Sequence, residues 1–109
     1  MSTSEQDGGI VVVAVLHPSP QHLEQAMSGV MTAVPGILAE DGCLLYAPHI
    51  ADDGTIVIVE RWESRADLEA HSTGIAVEIL RSGVAGLMAS PAVVTVMAPV
   101  ETVLEGARL

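Results

Sequence analysis

Residues 10–16 read Ile-Val-Val-Val-Ala-Val-Leu, and residues 56–59 read Ile-Val-Ile-Val. No other feature limits the fold as strongly. Both runs are too short and too β-branched for buried helices, so they read as strands. Neither alternates apolar with polar, so each strand is expected to be apolar, and buried, on both faces of a sheet.

Breaker residues place the other elements around these two strands. His17-Pro18-Ser19-Pro20 closes the first, over residues 9–16, and Ser19 with Pro20 offers a helix start. Leu23, Met27, Val30, Met31 and Val34 then recur at helical spacing, and Pro35-Gly36 is the expected stop. Glu40-Asp41-Gly42 turns into a second strand over residues 43–49. Pro48 cannot donate to a ladder, which sends that strand to a sheet edge or puts a bulge in it. Asp52-Asp53-Gly54 is a hairpin turn into the third strand, residues 55–62. Ser64 with Asp67 resembles a capping box for a helix over 65–72, and Ser72-Thr73-Gly74 interrupts it. A second helical piece is predicted over 75–88, weakened by Gly83 and Gly86, and a fourth strand over 93–97.

The order β-α-β-β-α-β is the ferredoxin-like α+β unit with an antiparallel sheet. Its usual strand order puts the first and third strands in the centre, which are the two fully apolar runs, and the Pro48 strand at an edge. One domain spans residues 9–101, after a flexible stretch over 1–8 and before a tail over 102–109. Two helices can cover only one face of such a sheet, and a bare Val/Ile face exceeds what a soluble monomer normally exposes. A second copy packed across a two-fold axis is the simplest cover, so a homodimer is expected, with the tail a candidate to dock on the partner.

Composition excludes several partners. Four Lys+Arg against 14 Asp+Glu give a net charge of −10. So few cations cannot neutralise a phosphate backbone or adhere to an anionic bilayer, so neither nucleic acid nor membrane is an expected partner. The uncharged stretch 82–100 is nominally long enough to span a bilayer. Pro91 in its middle and the β-branched Val93-Val94-Thr95-Val96 argue for a strand instead. No signal-like segment opens the chain, so a cytoplasmic location is expected. Cys43, the one cysteine, forms neither an intramolecular disulfide nor a cysteine metal cluster, and lacks a neighbouring cation to activate it. His17, His22 and His49 with Asp52 and Asp53 have no convincing zinc spacing, so no metal site is expected.

The middle of the chain carries Glu40-Asp41-Gly42-Cys43-Leu44-Leu45-Tyr46, then Glu60-Arg61-Trp62, then Ala70-His71. This string resembles the antibiotic biosynthesis monooxygenase family, quinol-monooxygenase-like proteins in which an E-P-G-C-x-x-Y turn and strand precede an E-x-W strand end and a helix bearing A-H. The resemblance implies a dimeric α+β barrel. It also implies, for several members, oxygenation of quinol-like or polyketide phenols by O₂ with no metal or organic cofactor. Asp41 stands where the family has proline, and residues 72–77 are aliphatic where family members often carry aromatics. Haem-degrading relatives have an Asn on the first strand and a histidine on the last helix. This chain has neither, because His17, His22, His49 and His71 all precede that helix.

His71 is the candidate catalytic base, since an imidazole can take a phenolic proton near neutral pH. It lies three residues after Leu68, on the same helix face. A half-buried histidine bonded to backbone is the structural alternative. Trp62 and Tyr46 are the only aromatics, because there is no Phe, and both fall inside the string. Trp62 is a candidate stacking wall with an N–H donor, and Tyr46 a candidate for orienting a substrate oxygen; each serves equally as a packing residue. Glu60 shares a strand face with Ile56, Ile58 and Trp62 and therefore needs a partner or a raised pKa. Arg61 points to the other face, where a salt bridge is the modest expectation. Glu60 and Arg61 are supporting candidates.

The expected function is a cofactor-independent monooxygenase oxidising a hydrophobic phenol, quinol or polyketide-like aromatic with O₂, one pocket per subunit, between sheet and helices. The alternatives are a non-catalytic small-molecule-binding or protective dimer on the same fold, and an isomerase using the same base without O₂.

Overall fold

The structure, a computed structural model, describes residues 9–109. The expected flexible stretch 1–8 lies outside the described residues. The elements are β1 (Ile10–Pro18), a 3-10 turn (Pro20–His22), α1 (Leu23–Leu38), β2 (Cys43–Ile50), β3 (Ile56–Trp62), α2 (Arg65–Ser72), α3 (Ile75–Val84) and β4 (Met88–Met97). The four strands form one antiparallel sheet in the order β2-β3-β1-β4. This is the predicted topology: the two Val/Ile runs are central and the Pro48 strand is an edge. Of the two alternatives for the Pro48 strand the edge position holds, and the irregularity in its pairing falls at its start, between Cys43 and Leu45.

The helices lie on one sheet face. Ile10, Val12, Ala14 and Leu16 of β1 and Ile56, Ile58, Glu60 and Trp62 of β3 point under them and are buried. The intervening Val11, Val13, Val15, Val57, Val59 and Arg61 point outward and are half-buried. Within one chain the helices cover only one face, as expected, and the other face is left half-exposed.

Three boundaries differ from the sequence reading. α1 runs through Pro35 to Leu38. Pro35 is exposed in the last turn, so the ring meets solvent and the helix loses one backbone bond without breaking. Ser19 stands at the start of the 3-10 turn without a side-chain cap. α3 stops at Val84, and Gly86 adopts φ +78. The chain then turns into β4 at Met88, five residues earlier than predicted, and passes through Pro91. An edge strand tolerates that proline, and the register shifts between Val15 and His17 of β1, in the pairing with this part of β4. No helix of the described residues is long and apolar enough to cross a membrane; the uncharged stretch 82–100 is split between the end of α3 and β4.

α1 and α3 cross at a contact between Gly29 and Gly83. A Cβ added to Gly29 would collide with the Gly83 backbone carbonyl, and one on Gly83 would meet the Gly29 backbone at 3.0 Å. Gly83 weakens a helix locally, yet it allows the backbones to approach. This contact sets the position of α3, and hence of Val77, Leu80 and Val84, over the sheet.

Candidate functional site

The site is assembled by the turn before β2. Gly42 has φ +76, a conformation that favours glycine, and a Cβ there would collide with the Asp67 side chain. Its carbonyl accepts from the Glu63 amide at 2.8 Å. Asp67 lies in the first turn of α2, where its amide donates to Ser64 Oγ at 3.1 Å and its Oδ2 accepts from that hydroxyl at 3.0 Å. The predicted cap therefore forms. The turn is seated directly on the start of α2. Glu40, two residues before Gly42, then meets His71, four residues after Asp67 on the same helix face. His71 Nδ1 lies 2.7 Å from Glu40 Oε1.

His71 is buried, 7 % exposed, and one ring face lies against Trp62 with centroids 4.5 Å apart and planes tilted by 35°. Tyr46 is on another side, centroids 6.0 Å apart. Trp62 is fully buried, and its Nε1–H donates to Glu60 Oε1 at 2.9 Å. Glu60 is 4 % exposed, and burial raises its carboxyl pKa above the ordinary value; the Trp62 hydrogen bond and the nearby His71 oppose that rise only in part. Burial also raises the Tyr46 phenol, with the negative charge of Glu60 adding to it. Cys43 is raised mainly by burial too, so its thiol is no activated nucleophile.

A cavity of about 330 Å³ opens beside this cluster, between sheet and helices. Tyr46, Glu60 and His71 supply its polar wall, and Ser72 and Arg81 stand on its helical side. The remaining lining is aliphatic, including Val12, Leu16, Leu68, Leu80 and Val94. Its open side is β4. Val94 faces the helices opposite Ala14, yet is 59 % exposed where Ala14 is 7 %, because the helices do not reach over the edge strand.

The fold thus brings His71, Tyr46, Trp62 and Glu60 into one cluster. One candidate stands elsewhere than expected: Trp62 backs His71 and does not line the cavity, and its N–H is spent on Glu60, so it stands one layer behind the stacking wall expected of it. Arg61 points to the other face, as its alternation with Glu60 along the strand predicts. It lies on the outer sheet face with Val11, beside Pro99, Val103 and Leu104 of the C-terminal segment, and does not approach the cavity. Sequence reasoning missed Glu40 as the partner of His71. The residue stood in the quoted string, but its partner is 31 residues away, and no local periodicity links them. The Glu60–Trp62 bond was within reach, because neighbours two apart on a strand share a face. Among the described residues, no group of His, Cys, Asp and Glu is arranged to hold a metal ion.

The domain is a ferredoxin-like α+β unit in which a buried histidine, paired with a partly buried carboxylate, stands beside an apolar cavity, on a fold shared by many functions. Comparison with known proteins gives its lineage. Residues 9–77 match the antibiotic biosynthesis monooxygenase family model, and the chain belongs to that family. It is 31% identical over 93 residues to Rv0793 of Mycobacterium tuberculosis, provisionally named a monooxygenase, covering 84% of this chain and 92% of that one. The Rv0793 structure superposes with a TM-score of 0.78 over 87% of this chain and 98% of its own. YgiN of Escherichia coli K12, named a probable quinol monooxygenase, is 39% identical over 75 residues, covering 57% of this chain and 71% of that one. A Caulobacter crescentus structure at 20% identity, TM-score 0.78, covering 91% of this chain and 97% of that one, shares the fold.

Proposed function

We propose that this protein is a monooxygenase that oxidises a hydrophobic phenol or quinol with O₂ and needs no metal or organic cofactor. The observation that carries the proposal is the cavity itself: an apolar chamber whose polar wall contains a histidine with one ring nitrogen held by a carboxylate. Its volume is at the lower end of the ~300–1,000 Å³ typical of ligand sites, which suits a mono- or bicyclic aromatic. Family membership and the names of the relatives support the same reading.

In this mechanism His71 takes the phenolic proton and Tyr46 orients a substrate oxygen. The phenolate passes one electron to O₂, and the radical pair combines at a ring carbon to give a peroxide anion, which takes the proton from the imidazolium to become a hydroperoxide. Neutral His71 then removes that carbon's proton as the O–O bond breaks, which forms the quinone carbonyl and releases hydroxide. The leaving hydroxide takes a proton from the imidazolium and departs as water. One oxygen atom stays in the product and one leaves in water. The aliphatic walls keep bulk water from the reactive phenolate.

The test is O₂ consumption with a naphthohydroquinone, product analysed by mass spectrometry. His71→Ala should lower the rate by about 10²–10⁴-fold with the fold intact. Ligand binding without oxygen uptake across a broad phenol panel would favour a binding module. Deuterium incorporation without oxygen uptake would favour an isomerase.

The working unit in this proposal is a homodimer. Val11, Val13 and Val15 of β1 share the outer face with Val57 and Val59 of β3, and the exposed Val93 and Met97 of β4 extend that face. Val103 and Leu104 in the C-terminal segment are also exposed. A second copy would cover this surface. Light scattering at micromolar concentration should give twice the chain mass, and a monomer mass refutes it.

A further inference from the structure

We propose that Glu40 is the positioning residue of the site: its carboxylate holds the proton of neutral His71 on Nδ1, which leaves the Nε2 lone pair as the basic atom. The 2.7 Å contact requires a proton between nitrogen and oxygen. A neutral imidazole has one proton to give, so a donating Nδ1 leaves Nε2 without a hydrogen. An unconstrained histidine side chain prefers the opposite tautomer, with the proton on Nε2. That form would offer the cavity a donor in place of a base.

Three further features hold this arrangement. The seating of Gly42 on Asp67 fixes the turn bearing Glu40 to the helix bearing His71. The Trp62 ring limits rotation of the imidazole from one side. Gly74 makes room for the second carboxylate oxygen. Its φ of −85 is open to any residue, so the backbone does not call for glycine. A Cβ there would lie 3.2 Å from Glu40 Oε2 and 3.2 Å from the Ala70 carbonyl. Space for Glu40 is therefore a reason for glycine at this position.

The inference rests on the reading of His71 as base for its consequence in turnover, whereas the tautomer can be measured without any substrate. Nitrogen NMR of protein with isotope-labelled histidine, above the pH at which His71 is charged, should show an unprotonated Nε2 and a protonated Nδ1. Glu40→Ala should move the populations toward Nε2–H. Gly74→Ala alters no ionisable group and retains Glu40. It should move them the same way to a smaller extent, which keeps the test decisive if Glu40→Ala fails to fold.

In quinol oxidation Glu40→Ala should lower kcat by about 10- to 100-fold, with KM changed less than about two-fold, as for loss of an orienting partner. In a His71→Ala background the same change should have no further effect on kcat. A wild-type His71 protonated on Nε2 overturns the proposal, as does an equal loss of kcat from Glu40→Ala with and without His71. If the tautomer is as stated but no phenol is oxidised, the positioning role stands and the monooxygenase reading fails.

Discussion

The Gly29–Gly83 crossing yields a prediction in which two glycine-to-alanine changes on one helix have opposite signs. In a helix interior, alanine is favoured over glycine by about 1 kcal/mol from backbone entropy alone. At Gly36, near the end of α1, an added Cβ meets only the Ala76 methyl at 3.6 Å, which is ordinary contact. Gly36→Ala should therefore stabilise the protein by about 0.5–1 kcal/mol. At Gly29 the same methyl collides with the Gly83 carbonyl, a main-chain group that no rotamer change can move. Overpacking of this kind costs about 1–3 kcal/mol and occasionally more, and the direct clash with backbone puts Gly29 at the upper end. After subtracting the propensity gain, Gly29→Ala should destabilise by about 1–2 kcal/mol, a fall in Tm of about 4–16 °C for a domain of this size. α3 carries Val77, Leu80 and Val84 of the cavity wall, so the displaced helix should also raise KM for any ligand. Urea unfolding followed by circular dichroism measures both variants. A Gly29→Ala protein as stable as wild type, or a Gly36→Ala protein destabilised as much, would refute the close-approach reasoning.

Trp62→Phe keeps the ring against His71 but removes the donor to Glu60 Oε1, leaving a buried carboxyl short of a partner. It should cost about 1–3 kcal/mol by denaturant titration; a neutral result would mean that water replaces the indole. Glu60 titrates above its unfolded value because burial disfavours its charged form. The folded state therefore holds this proton more tightly than the unfolded chain. The group's contribution is fully present below the ordinary glutamate pKa and is lost as pH rises through the folded pKa. Subtracting the stability–pH curve of Glu60→Gln from that of wild type should isolate a decline in that window, and a flat difference would contradict it. If the outer face is the dimer interface proposed above, Arg61→Ala should raise the monomer fraction in light scattering while the oxygen uptake per dimer is kept, and an unchanged mass would refute a role of Arg61 in that interface.

Much of the fold was legible because its signals are local. The runs at 10–16 and 56–59 announce central strands, Pro48 an edge, Asp52-Asp53-Gly54 a hairpin, and Ser64 with Asp67 a capped helix. The misplaced boundaries depended on position in the fold instead. Pro35 does not end α1 because in the last turn it costs only one backbone bond, and Pro91 does not delay β4 because that strand is an edge. His71 and Tyr46 were legible as candidates from their residue types and from the family string. Glu40 was in that string without a role, and Trp62 was expected in the cavity wall but stands behind His71, outside the lining.

By itself, the sequence determined the element order, the central pair of strands and the identity of the chemically capable side chains. Periodicity, turn residues and caps act over a few residues, and the chain carries them wherever it goes. Only the tertiary structure decided which of those side chains meet. Gly42 against Asp67 sets the turn on the helix, so that a carboxylate 31 residues away reaches an imidazole. Gly29 against Gly83 sets α3 over the sheet, so that an aliphatic cavity remains beside that imidazole. Both are contacts between segments distant in the chain, where the missing side chain of a glycine sets the distance.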